Sequence, residues 1–138
     1  MTNELTATIP ADVTSHPERF GEVIERVTAA LKAEGFSVLT DIDVQATLEA
    51  KVGANLKRYR ILGACNPPLA YAALLTTPSA GLMMPCNVVV RETDRGVLID
   101  AVKPVLGARS FGENDLMPLA EEIREKLARV LRAVETGQ

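Results

Sequence analysis

The sequence predicts an α+β fold: a strand, a helix, four more strands and a final helix, forming a mostly antiparallel sheet with the helices packed on one face. Three observations lead to this prediction. Several short segments alternate apolar and polar residues, as half-buried strands do. Two longer segments, near the two ends of the chain, repeat apolar residues at helical spacing. A short Asp-Arg-Gly turn separates two alternating segments, which indicates a hairpin.

The N-terminal part is predicted to contain one strand and one long helix. Leu5–Ile9 alternates and stops before Pro10, which indicates the first strand. Ser15-His16-Pro17-Glu18 has the spacing of a capping box, with proline in the first turn of a helix. Gly35 is expected to end that helix. Its apolar stripe contains Phe20, Ile24, Val27 and Leu31.

Three more elements are predicted before the first cysteine. Residues 36–44 alternate and indicate the second strand. Ala46–Val52 has the composition of a short helix, which Gly53 stops. Lys57–Ala64 reads as the third strand.

A helix and a hairpin follow. Asn66-Pro67 indicates a helix start, with asparagine as the N-cap and proline at the first helical position, and this helix continues towards Pro78. Cys86–Thr93 and Val97–Val102 are the two strands of the hairpin, joined around Asp94-Arg95-Gly96.

The C-terminal part is predicted to be one long helix after a flexible connection. Gly107 and Gly112 flank that connection. The helix is expected to begin near Asn114 or Asp115, with Pro118 in its first turn. Its buried stripe is predicted to contain Leu116, Leu119, Ile123, Leu127, Val130 and Val134.

The composition is that of one soluble domain spanning residues 1–138. The net charge of −3 argues against a nucleic-acid binder, because neutralising phosphates requires a basic surface. No apolar stretch approaches the roughly 18 residues of a membrane helix, and no signal peptide is visible at the N-terminus. With only two cysteines, a disulfide scaffold is not expected. These observations favour a cytoplasmic protein with reduced thiols and no membrane partner.

The two cysteines occur in similar surroundings, Cys65-Asn66-Pro67 and Pro85-Cys86-Asn87, each at a boundary between predicted elements. Alternation along the third strand groups Cys65 with Ile61, and along the hairpin it groups Cys86 with Val88 and Val90. If these apolar sets face the helices, both thiols point towards the core, near the junction of helix and sheet.

Three segments carry a resemblance to a known family: residues 36–43, residues 59–67 with the first Cys-Asn pair, and residues 81–90 with the second. Over about residues 5–105 the chain resembles the family called domain of unknown function 302. The family also has a lysine before the third strand and a proline after the hairpin, which Lys51 and Pro104 match. The positions matching the family pattern are Asp43, Lys51, Tyr59, Cys65, Asn66, Pro67, Pro85, Cys86 and Asn87.

The resemblance implies an α+β domain grouped with TATA-box-binding-protein-like folds, followed here by a C-terminal helix at about residues 115–135. It implies small bacterial proteins that commonly pair as dimers, and an antiparallel sheet also leaves an edge or a face to cover. The resemblance implies no enzymatic activity or other known function. DNA binding does not follow from a shared fold.

The chemistry of the paired segments has several interpretations. In one interpretation both thiols are packed, since free cysteine is among the most buried side chains; in another, the start of the Pro67 helix activates one of them. A disulfide is less expected in a reducing compartment. A zinc site needs four ligands, and the two cysteines with His16 supply three, so that Asp43 would have to complete the set. No metal or cofactor is therefore predicted.

The predicted function is a non-enzymatic ligand-binding or sensing module in a homodimer, with no nucleic acid as partner. Cys65 and Cys86 would provide thiol contacts, Asn66 and Asn87 orienting amides, and Lys51 a charge. Pro67, Asp43 and Tyr59 complete the predicted ligand-binding set. The alternatives are a thiol-dependent enzyme, which requires a base near a thiol of lowered pKa, and a structural homodimer whose cysteines only pack.

Overall fold

A computed structural model describes residues 4–110 and 114–137 of the chain. The strands are β1 (Thr6–Ile9), β2 (Ser37–Asp43), β3 (Tyr59–Cys65), β4 (Cys86–Thr93) and β5 (Gly96–Ala101). The helices are α1 (Glu18–Ala33), α2 (Val44–Val52), α3 (Pro67–Thr76), α4 (Pro104–Ser110) and α5 (Met117–Thr136). Two 3₁₀ segments lie at Pro78–Met83 and Asn114–Leu116.

The five strands form one sheet in the order β1-β5-β4-β3-β2, and each neighbouring pair is antiparallel. The predicted hairpin is β4–β5, with Thr93 opposite Gly96. Gly96 has a φ of +126°, and a Cβ atom there would lie 2.3 Å from the carbonyl oxygen of Ile9. Both the backbone angle and the close approach require glycine at this turn. The α+β class predicted from the sequence is confirmed.

The main core lies between the sheet and the two long helices, α1 and α5. Leu31 of α1 and Leu127 of α5 are fully buried against Leu62 and Ile99 of the sheet's inner face. Replacing such a leucine by alanine is expected to cost about 2–5 kcal/mol, since it removes apolar contacts and leaves a cavity. Within the described residues, no helix is long and apolar enough to cross a bilayer.

The start of α1 differs from the prediction, because no capping box forms at Ser15. The side chain of Asp12 accepts a hydrogen bond from the Ser15 backbone amide at 3.0 Å, and the His16 amide bonds to the Asp12 carbonyl at 3.1 Å. This local turn keeps the chain out of the helix until Glu18, and no side chain caps α1. Pro17 stands at the N-cap position, where its missing N–H costs nothing.

The segment after β5 was predicted as a flexible connection, and residues 104–110 instead form α4. Gly107 is buried in this helix, and a Cβ atom there would approach the terminal methyl of Met83 to 2.5 Å. The glycine that suggested flexibility therefore permits close packing. Gly112 lies outside the described residues. The predicted start of the last helix, at Asn114 or Asp115, falls in the second 3₁₀ segment, and α5 begins at Met117.

The prediction that the Cys65 side of β3 faces the core is wrong. Leu62 and Ala64 are buried in the main core, and they alternate with Ile61 and Cys65, which are half-buried. The prediction turned the set with Ile61 and Cys65 towards the core, because the alternating set with Leu62 also contains the charged Arg60. Arg60 lies near the start of β3 on the same inner face. It forms a bidentate ion pair with Asp41, at 2.7 and 2.5 Å, and this pair compensates the arginine charge at that position.

Candidate functional site around Cys86

The two cysteines lie on neighbouring strands, but on opposite faces of the sheet. Cys86, the first residue of β4, pairs with Ala64 and shares the inner face with Val88 and Val90. Cys65 is the last residue of β3, and alternation from Ala64 places it on the other face. Both cysteines are free thiols. The sequence therefore predicted their proximity correctly and their common direction wrongly.

Asn66 is the N-cap of α3, as the sequence predicted. Its side-chain oxygen accepts a hydrogen bond from the Leu69 amide at 3.4 Å, and its Nδ2 donates to the Glu34 carbonyl at 3.3 Å. Asn66 is buried, and Pro67 follows as the first helical residue. The side-chain amide thus joins the start of α3 to the end of α1.

The remaining predicted site residues are spread over the molecule. Asn87 is exposed opposite Gly63, while Lys51 is exposed in the last turn of α2. Asp43 caps α2 by accepting a hydrogen bond from the Ala46 amide at 2.9 Å. Tyr59 begins β3, so it lies about 20 Å from Cys65 at the strand rise of about 3.3 Å per residue.

Asp43 and Tyr59 line a polar cleft of about 220 Å³, which also includes Arg58 and Arg60. Both arginines already have carboxylate partners. Arg58 lies 3.0 Å from Glu92, and Arg60 pairs with Asp41. This cleft is therefore largely neutralised by its own ion pairs, and it is separate from the cysteines.

An apolar pocket of about 90 Å³ lies beside Cys86, between the start of β4 and helices α3, α4 and α5. It is half-open to solvent, and Met83 and Val102, which are exposed, stand at its rim. The lining residues are Ala73, Ala80, Met83, Met84, Cys86, Val102, Lys103, Pro104, Gly107, Ala108, Leu116, Leu119, Ala120 and Ile123.

Small residues leave this space open. Four buried alanines, one from each surrounding helical segment, form a second apolar cluster apart from the main core. Each alanine side chain ends at Cβ, so none of the four extends far into the space between the helical segments. The alanines are Ala73, Ala80, Ala108 and Ala120. The pocket was not predicted from the sequence, although the recurrence of alanine in these four helical segments was a signal for it.

The pocket keeps the Cys86 thiol protonated. Burial, and to a lesser degree the nearby Cys65 thiol, raises the pKa of Cys86 from its ordinary value of 9.0 to about 11. A thiol with this pKa is neutral at physiological pH, which suits contact with an apolar group. For Cys86, activation as a thiolate would require a shift of the pKa in the other direction.

The side-chain atoms of the pocket wall that could bind a metal ion are the sulfur atoms of Met83, Met84 and Cys86. His16 forms an ion-pair contact with Glu18 at 3.5 Å, and Asp43 caps α2, so neither joins the cysteines. Across residues 4–110 and 114–137, no group of three histidine, cysteine, aspartate or glutamate side chains is arranged to hold a metal ion.

Comparisons with known proteins agree on the family. Residues 11–134 match the family model described as domain of unknown function DUF302, and this match extends through α5. The chain is also similar to an uncharacterised conserved DUF302 protein from Bacillus stearothermophilus, known from a crystal structure, with 29% identity and a TM-score of 0.81. The similarity covers 92% of this chain and 94% of that one. Among proteins with curated descriptions, none matches. The chain therefore belongs to the DUF302 family.

Proposed function

We propose that the protein is a non-enzymatic ligand-binding module whose site is the apolar pocket beside Cys86. The observation that carries this proposal is the pocket itself: a half-open space among apolar side chains, with a neutral thiol in its wall. Unfilled apolar space is unfavourable for the protein, because its lining atoms lack contact partners on one side. An apolar ligand that enters gains those contacts.

The volume of the pocket limits the size of the ligand group that it can bind. Its volume of about 90 Å³ is small beside the roughly 150 Å³ of a cavity that holds benzene. The occupant therefore inserts a short apolar segment of a few carbon atoms and leaves the rest at the mouth. Each buried methylene contributes about 0.8 kcal/mol, so a tail of about four carbons gives a dissociation constant in the millimolar range.

The same observations favour binding over thiol catalysis at Cys86. A nucleophilic cysteine acts as a thiolate and needs a base within hydrogen-bond reach. The pKa of Cys86 is raised, and the described residues around the pocket contain no histidine or carboxylate. The two free thiols also support a reducing compartment, and we propose the cytoplasm.

Nuclear magnetic resonance of methionine methyl groups tests the proposal. Met83 and Met84 line the pocket, so their ε-methyl signals report its occupation. Titration with hexan-1-ol should shift both signals with a saturable curve in the millimolar range. Ala120→Leu, which places a larger side chain in the pocket, should weaken the binding at least fivefold.

Ala50→Leu is the matched control, because Ala50 is exposed on α2, a helix with no buried residue. It should leave the titration unchanged. Ile123→Phe provides a second pocket-filling variant if Ala120→Leu does not fold. Methionine signals that do not move with hexan-1-ol, or that move equally in the filled variants, would refute the proposed function.

A second candidate role is self-association through α3. Tyr71, Leu74 and Leu75 form an exposed apolar face on this helix, and Leu82 in the following 3₁₀ segment is also exposed. Residues 61–90 contain no charged residue at all. A two-fold dimer brings a surface against its own copy, so an uncharged surface meets itself without like-charge repulsion.

The β2 edge of the sheet is a weaker candidate for the same contact. Edge strand β2 carries Asp41 and Asp43, and its register with β3 shifts between Val38 and Thr40. Charges and irregularities of this kind oppose strand pairing between molecules. We therefore propose a homodimer formed by the exposed face of α3.

A further inference from the structure

Lys103 gives the apolar pocket a charged mouth. It is an exposed residue between β5 and α4, and it is the charged member of the described pocket lining. Its ammonium group has no ion-pair or hydrogen-bond partner among residues 4–110 and 114–137.

Other cations near the sheet are neutralised within the molecule. Lys57 pairs with Asp94, and Arg58 lies 3.0 Å from Glu92. The cation at the pocket mouth differs from these because nothing in the described lining complements it. A pocket that is apolar inside and carries at its opening one positive charge without a partner among the described residues is complementary to a ligand with an apolar tail and a negative head.

We propose that the pocket takes a short-chain carboxylate, with its alkyl tail beside Cys86 and its carboxylate on the ammonium of Lys103. This inference rests on the proposed binding function and adds the class of ligand. A single ammonium matches the one negative charge of a carboxylate. A phosphate head carries up to two charges and three acceptor oxygens, and it would call for further donors. The pocket volume of about 90 Å³ limits the inserted tail to a few carbons.

Matched ligands test the charge separately from the tail. Hexanoate and hexan-1-ol have the same chain length, and they differ in the charge of the head group. Each is titrated into the wild-type protein and into Lys103→Gln, with the methyl signals of Met83 and Met84 as readout. Lys103→Gln should weaken hexanoate binding roughly twofold to fivefold, as expected for one exposed charge pair, and change hexan-1-ol binding less than twofold.

Two further measurements strengthen the test. Raising the salt concentration from 20 to 500 mM should weaken the binding of hexanoate in the wild type, because salt screens an exposed charge pair, and leave hexan-1-ol unaffected. Lys103→Arg should keep most of the hexanoate affinity. Lys51→Gln is the matched control, since Lys51 is an exposed lysine on α2, away from the pocket.

The outcomes separate the two proposals. If hexan-1-ol binds in the pocket but hexanoate binding is insensitive to Lys103→Gln and to salt, the carboxylate inference is overturned and the proposed function stands. If neither ligand shifts the methionine signals, the proposed function itself fails. If Lys51→Gln weakens hexanoate binding as much as Lys103→Gln, the effect is one of overall charge and the inference is likewise overturned.

Discussion

Two segments with nearly the same residues serve different purposes in this fold. Asn66 is buried and joins two helix ends, whereas Asn87 is exposed on β4. Cys86 borders the pocket, whereas Cys65 lies on the other face of the sheet. The repeated Cys-Asn pair therefore does not form a single symmetrical site, and each residue's surroundings decide its role.

Replacing Asn66 by alanine should destabilise the protein by about 1–3 kcal/mol. The change removes the cap of α3 and leaves the Leu69 amide and the Glu34 carbonyl without the partners they now have. Asn87→Ala is the matched control and should stay within about 0.5 kcal/mol, as exposed positions usually do. Urea unfolding of both variants measures the difference. An equal decrease in the free energy of unfolding for both variants would show that Asn87 stabilises the fold as much as Asn66 does.

The Cys86 thiol should make stability fall at high pH. Its pKa is about 11 in the folded protein, against an ordinary value of 9.0. Below pH 9 both states hold the proton, and the contribution is fully present. Between pH 9 and 11 the unfolded chain loses the proton first, so the free energy of unfolding decreases by about 2 kcal/mol in total.

The measurement is urea unfolding of the wild type and of Cys86→Ala from pH 8 to 11. Lysine and tyrosine titrate in both proteins, so the difference between the two curves isolates the thiol. The wild type should lose stability relative to the variant as the pH rises through this range. A constant difference would mean that the thiol titrates normally.

At the scale of elements, local patterns predicted the sheet and the long helices well. Alternation and helical spacing depend on which face of an element is buried, and they located all five strands, α1 and α5. Two errors have a tertiary cause. Gly107 looks like a loop residue until it packs against Met83, and β3 shows its true inner face only once Arg60 is paired with Asp41.

The pocket was beyond sequence reasoning for a related reason. Its wall comes from three separate stretches of the chain, residues 73–86, 102–108 and 116–123, and alanine is compatible with almost any position in a helix. Only the packing of α3, α4 and α5 shows that Ala73, Ala108 and Ala120 surround one space. Cys86 was the predicted site residue that lines it.

Helix α3 should mediate dimerisation if its exposed apolar face is an interface. We expect the wild-type protein to sediment at twice the monomer mass of 14.8 kDa at micromolar concentration. Leu75→Glu should shift it to the monomer, because the two-fold contact would bring like charges together. Val52→Glu, an equally exposed apolar position on α2, should not. A wild-type monomer, or a dimer that tolerates Leu75→Glu, would contradict the proposed interface.

At the scale of the whole molecule, the five-stranded sheet has two separate apolar clusters, and an open pocket lies at the second. The main core, between the sheet and helices α1 and α5, supports the fold. The second cluster, between α3, α4 and α5, contains the pocket and its neutral thiol. The proposed binding site thus lies apart from the core that stabilises the fold, and Cys86 lines that site.

The most direct test compares the two thiols within one molecule. The alkylation rates of Cys65 and Cys86 are measured by mass spectrometry at pH 9, with and without saturating hexan-1-ol. The account predicts that the ligand slows the labelling of Cys86 at least fivefold, because it occupies the space beside that thiol, and leaves Cys65 unchanged. Labelling of Cys86 that is unaffected by the ligand, or equal slowing of both thiols, would contradict the assignment of this pocket as the binding site.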